Sequence, residues 1–203
     1  MAYPTVAGPY GFQPINLIGG QVFAGATRQI PIASGSGTSI FYGDVVRLNT
    51  GGTLSRVSTT DSATDAVGIF LGCAFTNPTT KQFLQQQFYP ASTVASDIVA
   101  YVCDDPDTYF KVAVLSNSTT IGGMTQTDIG NNVAILVTAG NSNSGDSKEG
   151  VSATTGTATT LPFRVIAGVP ETVNASGSFT EVIVKFNFGV HTYYSSAAVA
   201  TAA

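Results

Sequence analysis

This sequence predicts an all-β fold, a small β-barrel or sandwich with an extended N-terminal arm and at most one or two short helical turns. Three observations predict it. Apolar residues recur with period two: Phe110, Val112 and Val114 alternate with Tyr109, Lys111 and Ala113, the spacing of a half-buried strand. Turn formers separate such runs, as at Gly51-Gly52 and Asp104-Asp105-Pro106-Asp107. No segment sustains apolar residues at helical spacing over about twelve positions. The 203 residues include 22 glycines and no tryptophan, and Ser and Thr abound. That is the palette of short strands and tight turns.

The chain divides by composition into an arm (1–36), a β-barrel domain (37–194, with a flexible loop at 139–160) and a disordered tail (195–203) that frays. The arm opens MAYPTVAGPYGFQPINLIGG and carries Pro4, Pro9, Pro14 and Pro31 with Arg28 as its single charge. Proline fixes φ and removes a donor, and it pushes the preceding residue toward extended backbone. The arm is therefore neither helix nor central strand, and it is too apolar and aromatic for a solvated linker. Such a segment lies on something, either its own domain or a neighbouring subunit. The candidate contact residues are Tyr3, Pro4, Pro9, Tyr10, Phe12, Pro14 and Phe23.

Beyond the arm, Val45–Asn49 and Thr53–Ser58 form a hairpin over Gly51-Gly52. The best core strand is Val67–Phe75. Its odd members Val67, Ile69, Leu71, Cys73 and Phe75 share one face, and Gly68, Gly72 and Ala74 on the other let a second backbone come close. Lys81–Tyr89, bracketed by Pro78 and Pro90, reads as a strand, and Ser92–Ser96 as a single helical turn. Asp97–Cys103 and Thr108–Leu115 read as a hairpin around the Asp-Pro turn. Thr125–Asn131 reads as a short helix capped by Thr125. Strands at Val133–Val137, Leu161–Val169 and Phe179–Phe188 follow, separated by the small polar stretch Gly140–Thr160.

Charge narrows the function classes. Charged residues make up 10% of the chain, against about 25% in ordinary domains. Subunit interfaces are depleted in charge in this way, so part of the surface is expected to be covered. The net charge is −4 and no basic cluster exists, which argues against direct nucleic-acid contact. No run reaches the roughly 20 apolar residues of a membrane-spanning helix, and no secretion signal is expected. Cys73 and Cys103 stand thirty residues apart in apolar runs. Two buried thiols are the commoner arrangement, and a disulfide becomes open to them if their strands are adjacent.

No catalytic constellation emerges, no cofactor is expected, and the chain is read as a non-enzyme. His191 is the single histidine, and G-x-S-x-G does not occur. The Asp104, Asp105, Asp107 cluster has two readings. One is a plain turn; the other is a calcium site, which takes about six to eight oxygens. Pro106 interrupts the carboxylates and no EF-hand spacing follows, which favours the turn. A carboxylate pair for hydrolysis would have to come from distant strands.

The stretch Gly43-Asp44-Val45-Val46-Arg47-Leu48, followed by the glycine turn and then Ala66-Val67-Gly68-Ile69-Phe70-Leu71-Gly72, resembles the barrel of tailed-phage capsid decoration (cement) proteins. The segments PYGFQPINLIGGQVFAGATRQIPIASG and DIVAYVCDDPDTYFKVAV are similar to virion structural proteins of marine podoviruses. The likeness covers most of Met1–Leu115 and the end near Val169–Asn187. It implies a structural virion protein on the outer capsid surface that clamps neighbouring major capsid subunits, acting as a trimer or dimer. Compact cement proteins are often shorter, so the segment after Ile121 is expected to be an added subdomain. The competing readings are a major capsid protein, a hydrolase, and a receptor- or carbohydrate-binding β-domain using Tyr and Asp clusters such as Tyr101–Tyr109.

Overall fold

The protein is described by a computed structural model covering residues 7–17, 19–58, 65–187 and 200–201. Its strands in chain order are β1 (Gln13–Leu17), β2 (Arg28–Pro31), β3 (Val45–Asn49), β4 (Leu54–Arg56), β5 (Ala66–Thr76), β6 (Phe83–Gln86) and β7 (Val99–Cys103). They continue with β8 (Thr108–Leu115), β9 (Asn132–Leu136), β10 (Gly150–Gly156), β11 (Phe163–Gly168), β12 (Glu181–Phe186) and β13 (Ala200–Thr201). One-turn 3-10 helices sit at Gln126–Asp128 and Pro170–Thr172. The predicted all-β class is the observed one.

The strands form two units. In the second half of the chain, β8, β10, β9, β11 and β12 pair in that order and β12 returns to β8, closing a five-stranded barrel. β8 is long enough to serve several partners. β12 runs antiparallel along Phe110–Ala113, β1 pairs with Thr108–Lys111, and β10 joins parallel at Val114 and Leu115. Closure removes the sheet edges that so uncharged a set of strands would otherwise expose. The segment after Ile121 thus supplies four of the five barrel strands.

The other unit is the sheet β13-β3-β5-β7-β2, with β4 on β3 and β6 on β5. An isolated parallel bridge between Ile32 and Leu54 brings the end of β2 against β4, so this sheet curls back on itself. Its interior holds Ile30, Ile32, Val46, Leu54, Val67, Phe70, Ala100 and Val102. A second core fills the barrel with Phe110, Val112, Val114, Val133, Phe163, Val165, Val184 and Phe186. That core continues through Phe12 onto the outer face of the first sheet at Val45, Val57, Ala66, Ile69 and Cys103. The two units are therefore packed through shared apolar surface.

Several expectations need correction. The odd residues of β5 do not share one face. Val67, Cys73 and Phe75 lie in the sheet's own core together with Phe70, whereas Ile69 belongs to the barrel-side core. Register irregularities interrupt the alternation, one opposite Val46/Arg47 and one between Phe70 and Gly72. An extra residue in a strand reverses the facing of those that follow. The close approach expected at the glycines does occur. A Cβ on Gly68 would stand 2.5 Å from the Cys103 carbonyl oxygen, and one on Gly72 3.0 Å from that of Gln86.

β7 and β8 do not pair with each other, so the Asp104–Asp107 turn is not a hairpin. It carries the chain from the first sheet to the barrel. Ser92–Ser96 forms no helical turn: Ser92 has φ +61° and donates its N–H to the Ser36 carbonyl. The 139–160 stretch is not a loose loop, because β10 lies within it and Ser147, Glu149, Gly150 and Val151 are buried. Small Gly, Ser and Thr residues suit a strand squeezed between β9 and β8. The arm and tail divisions are also drawn differently by the fold. β1 and β2 are built into the two units, and Ala200–Thr201 lies beside β3.

Candidate functional site

The expected contact residues of the arm separate into distinct environments. Tyr3 and Pro4 lie outside the described residues, as does His191. Pro9 and Pro14 are half-buried, and Phe23 packs against the barrel-side core. The Tyr10 hydroxyl donates to Glu181, which also faces the Lys111 ammonium at 3.6 Å, and that ammonium stands 5.5 Å from the centre of the Tyr10 ring. Burial, reinforced by Glu181, pushes the Tyr10 phenol far above its usual range, so it stays protonated and donates. Phe12 is fully buried and stacks on Phe163 with ring centres 4.6 Å apart. It has no surface left for another subunit.

Between these anchors the arm threads the junction of the two units. Gly11 donates its N–H to the Glu149 carbonyl, and Phe12 donates to the Gly43 carbonyl at 2.9 Å. Gly11 has φ +82°, and a Cβ there would meet the Ser147 Cβ at 2.6 Å and the Gly43 oxygen at 2.9 Å. Only glycine fits both the backbone and the space.

Beside this thread lies a buried ionic cluster. Asp44, in the turn before β3, accepts the Phe41 N–H at 2.8 Å. Arg56, at the end of β4, places Nε 2.9 Å from Glu149 Oε1 and 3.2 Å from Asp44 Oδ2. Its Nη2 donates to the Thr138 carbonyl. Glu149 Oε2 accepts the N–H of Val45 at 2.8 Å. Both carboxylates are inaccessible to solvent. Burial raises the pKa of each. Asp44 pushes Glu149 further up, while Arg56 pulls both down. Two acids face one guanidinium in a dry site, so the neutral form of one of them is favoured. Among the described residues, Asp44 Oδ1 has no hydrogen-bond partner.

The cluster joins residues that the sequence keeps far apart. Asp44 and Arg56 come from the first sheet, and Glu149 directly precedes β10 of the barrel. Glu149 went unrecognised because it sits in a stretch that reads as polar loop. Here is a carboxylate pair of the kind a hydrolase would need, but it is enclosed by protein rather than set in a cleft. It links β3 and β4 of the first sheet to the start of β10 in the barrel.

The Asp104–Asp107 carboxylates diverge to separate partners. Asp104 pairs with Arg28 and Asp107 with Lys185, both at 3.3 Å, while Asp105 accepts the Asp107 N–H at 2.8 Å. That is the geometry of a turn stitched to its surroundings. Cys73 and Cys103 are free and buried. β5 and β7 are adjacent, but their register sets Cys73 against Ala100 and Cys103 against Ile69.

One large open pocket of about 640 Å³ lies on the first sheet, between β5, β6 and β7, with Tyr42, Gln86 and Tyr101 in its wall. Comparison with protein-family models, curated proteins and solved structures returns no match.

Proposed function

We propose that this chain is a structural virion protein that binds the outer surface of a phage capsid and cements neighbouring major capsid subunits, as the resemblance in its sequence implies. The observation that carries this reading is the exposed, charge-poor surface of the N-terminal segment. From Gly19 to Gln29 every residue but the half-buried Phe23 is exposed, Arg28 is the only charge, and Val22 stands 76% exposed. The span is held at one end by β1 on the barrel and at the other by β2 in the first sheet. An exposed strap with a single charge, fixed at both ends, can be covered by a partner with little desolvation cost and little loss of chain entropy. Phe83 and Val94 are the other large apolar side chains that stand exposed among the described residues.

The partner is the major capsid protein. A dimer or trimer of this chain would multiply individually weak contacts through effective concentration. Co-sedimentation of the purified protein with capsids tests the reading, with cryo-electron microscopy of the decorated particle to locate it. The wild-type protein is expected to pellet with capsids. Val22→Asp is expected to weaken binding by about tenfold, roughly 1.4 kcal/mol, without moving the melting temperature. Failure of the wild type to bind, or density confined to the tail, would overturn the proposal.

A further inference from the structure

The arm, residues 10–23, is anchored as one piece. The Leu17 N–H donates to the Gln21 carbonyl, and Asn16 bridges Val22, so the segment after β1 folds back on it. Most of its anchors lie in the second half of the chain. The Tyr10 hydroxyl donates to Glu181, the Gly11 N–H donates to the Glu149 carbonyl, and Phe12 stacks on Phe163. β1 pairs with β8, and Phe23 packs against the barrel-side core. β2, the next strand, pairs instead with β7 in the first sheet.

Ala24, Gly25, Ala26 and Thr27 join the two. All four are exposed, and a Cβ on Gly25 would meet nothing within 4 Å. Among the described residues none of the four takes part in a hydrogen bond. The arm is thus a plug on a short, unbonded leash. It is also remote in sequence from what it plugs, with Tyr10 and Glu181 separated by 171 residues. Its socket exists only once β8, β10, β11 and β12 have come together. Until then the arm has no partner of its own, and a second copy at the same stage offers it an identical one.

We propose that the arm is exchanged between copies of this chain, residues 10–23 of one docking in the barrel of another. The occupant is a second copy because the socket is cut to this sequence. It takes a hydroxyl donor for Glu181, then a residue with φ +82° and no Cβ beside Ser147 and Gly43, then an aromatic ring for Phe163. Tyr10, Gly11 and Phe12 supply these in succession. Exchange keeps every such contact and reroutes only the four linker residues, which is why swapping is a low-cost route to a dimer. Opposing it is the effective concentration of a tethered arm, on the order of millimolar. Exchange is therefore expected when copies fold or assemble at close quarters, and a dilute chain keeps its own arm. This inference does not use the capsid reading, and either can fail without the other.

The test uses two full-length variants, Asn16→Cys and Tyr109→Cys, at positions that face each other across β1 and β8. They are mixed, unfolded, refolded together at roughly micromolar and roughly millimolar concentration, and then oxidised. In a chain that keeps its own arm, neither introduced thiol faces another. In an exchanged pair, the thiol on one arm meets the thiol on the other chain's β8. The native thiols are buried in either case. Covalent heterodimers are expected at the higher concentration, in clear excess over both homodimers. Deleting Gly25 and Ala26 from both variants shortens the leash, and should raise the heterodimer yield at micromolar concentration about tenfold. The proposal is overturned if no covalent dimer forms at millimolar concentration, or if homodimers and heterodimers form in the ratio of random collision. It is also overturned if the shortened chains refold as monomers as stable as the wild type.

Discussion

Phe12 and Gly11 together decide whether the arm is an appendage or a component. Phe12 fills the barrel-side core against Phe163, which itself packs on Phe186 at 4.5 Å. Removing that ring leaves a cavity lined by aromatic side chains that are held by their own strands. Phe12→Ala should therefore destabilise the protein by about 3–5 kcal/mol, read by denaturant titration. A change below about 1 kcal/mol would mean that the site collapses around the loss. Gly11→Ala acts differently, since its methyl would have to push Ser147 and Gly43 apart. The cysteines give a second check at this scale. Burial pushes Cys73 up to about 12 and Cys103 up to about 11. Neither thiolate is populated at neutral pH, so neither should react with a thiol reagent in the native state, and both should react after unfolding. Rapid labelling of the folded protein would contradict the burial of those strands.

β1 is the element whose removal separates the arm's outer part from its inner part. Among the described residues, deleting 1–9 removes no member of either core, and the melting temperature should hold. Deleting 1–20 removes Phe12 and β1, and uncovers the edge of β8 at Thr108–Lys111. The protein should then melt lower and aggregate, because an exposed apolar edge is a template for pairing. Equal stability of the two truncations would show that β1 is dispensable. Legibility differs by element in the same way. The β3–β4 hairpin, the β6 strand and the Thr125 cap could be read, since a Gly-Gly turn, bracketing prolines and a capping side chain are local signals. The bulges in β5 were not legible, because nothing local marks an inserted residue in a continuous apolar run. β10 was hidden by composition: GVSATTG reads as loop until β8 and β9 supply its partners. The partner of β8 was misread because short sequence separation suggests pairing with β7, whereas the pairing that closes the barrel spans about seventy residues. Of the pocket lining only Tyr101 stands out in the sequence as a ligand contact, since Leu71, Gly72 and Cys73 read as core strand, and Tyr109, grouped with Tyr101 in the sequence, pairs instead with Asn16 of β1.

The whole molecule is two β units joined by a dry interface, and the Asp44–Arg56–Glu149 cluster makes that joint sensitive to pH. The folded-state pKa of Glu149 lies well above its ordinary value of 4.5, and that of Asp44 above 3.8. In the unfolded chain both acids ionise near those ordinary values. Above that range the folded state therefore holds a proton that the unfolded state has released. Under linkage, stability must fall as pH rises through the window between the unfolded and folded pKa values, and the contribution is fully present below the unfolded ones. The slope is at most about 1.4 kcal/mol per pH unit for each retained proton. Asp97 and Asp128 act in the opposite sense. Hydrogen bonds from Thr76 and Thr125 hold them below 3.8, so their contribution is lost only as pH falls under that value. The two effects occupy different windows and can be told apart. Glu149→Gln keeps the side chain's shape and cannot ionise, so its stability should change less with pH above about 4.5 than that of the wild type. Glu149→Ala removes the acceptor of the Val45 N–H and one partner of the Arg56 Nε, leaving Arg56 paired with Asp44 alone, and should destabilise by about 1–3 kcal/mol. Denaturant titrations across mildly acidic to alkaline pH measure both. If wild type and Glu149→Gln lose stability in parallel as pH rises, the proton resides elsewhere, and the junction is an ordinary ion cluster rather than a joint that loosens in alkali.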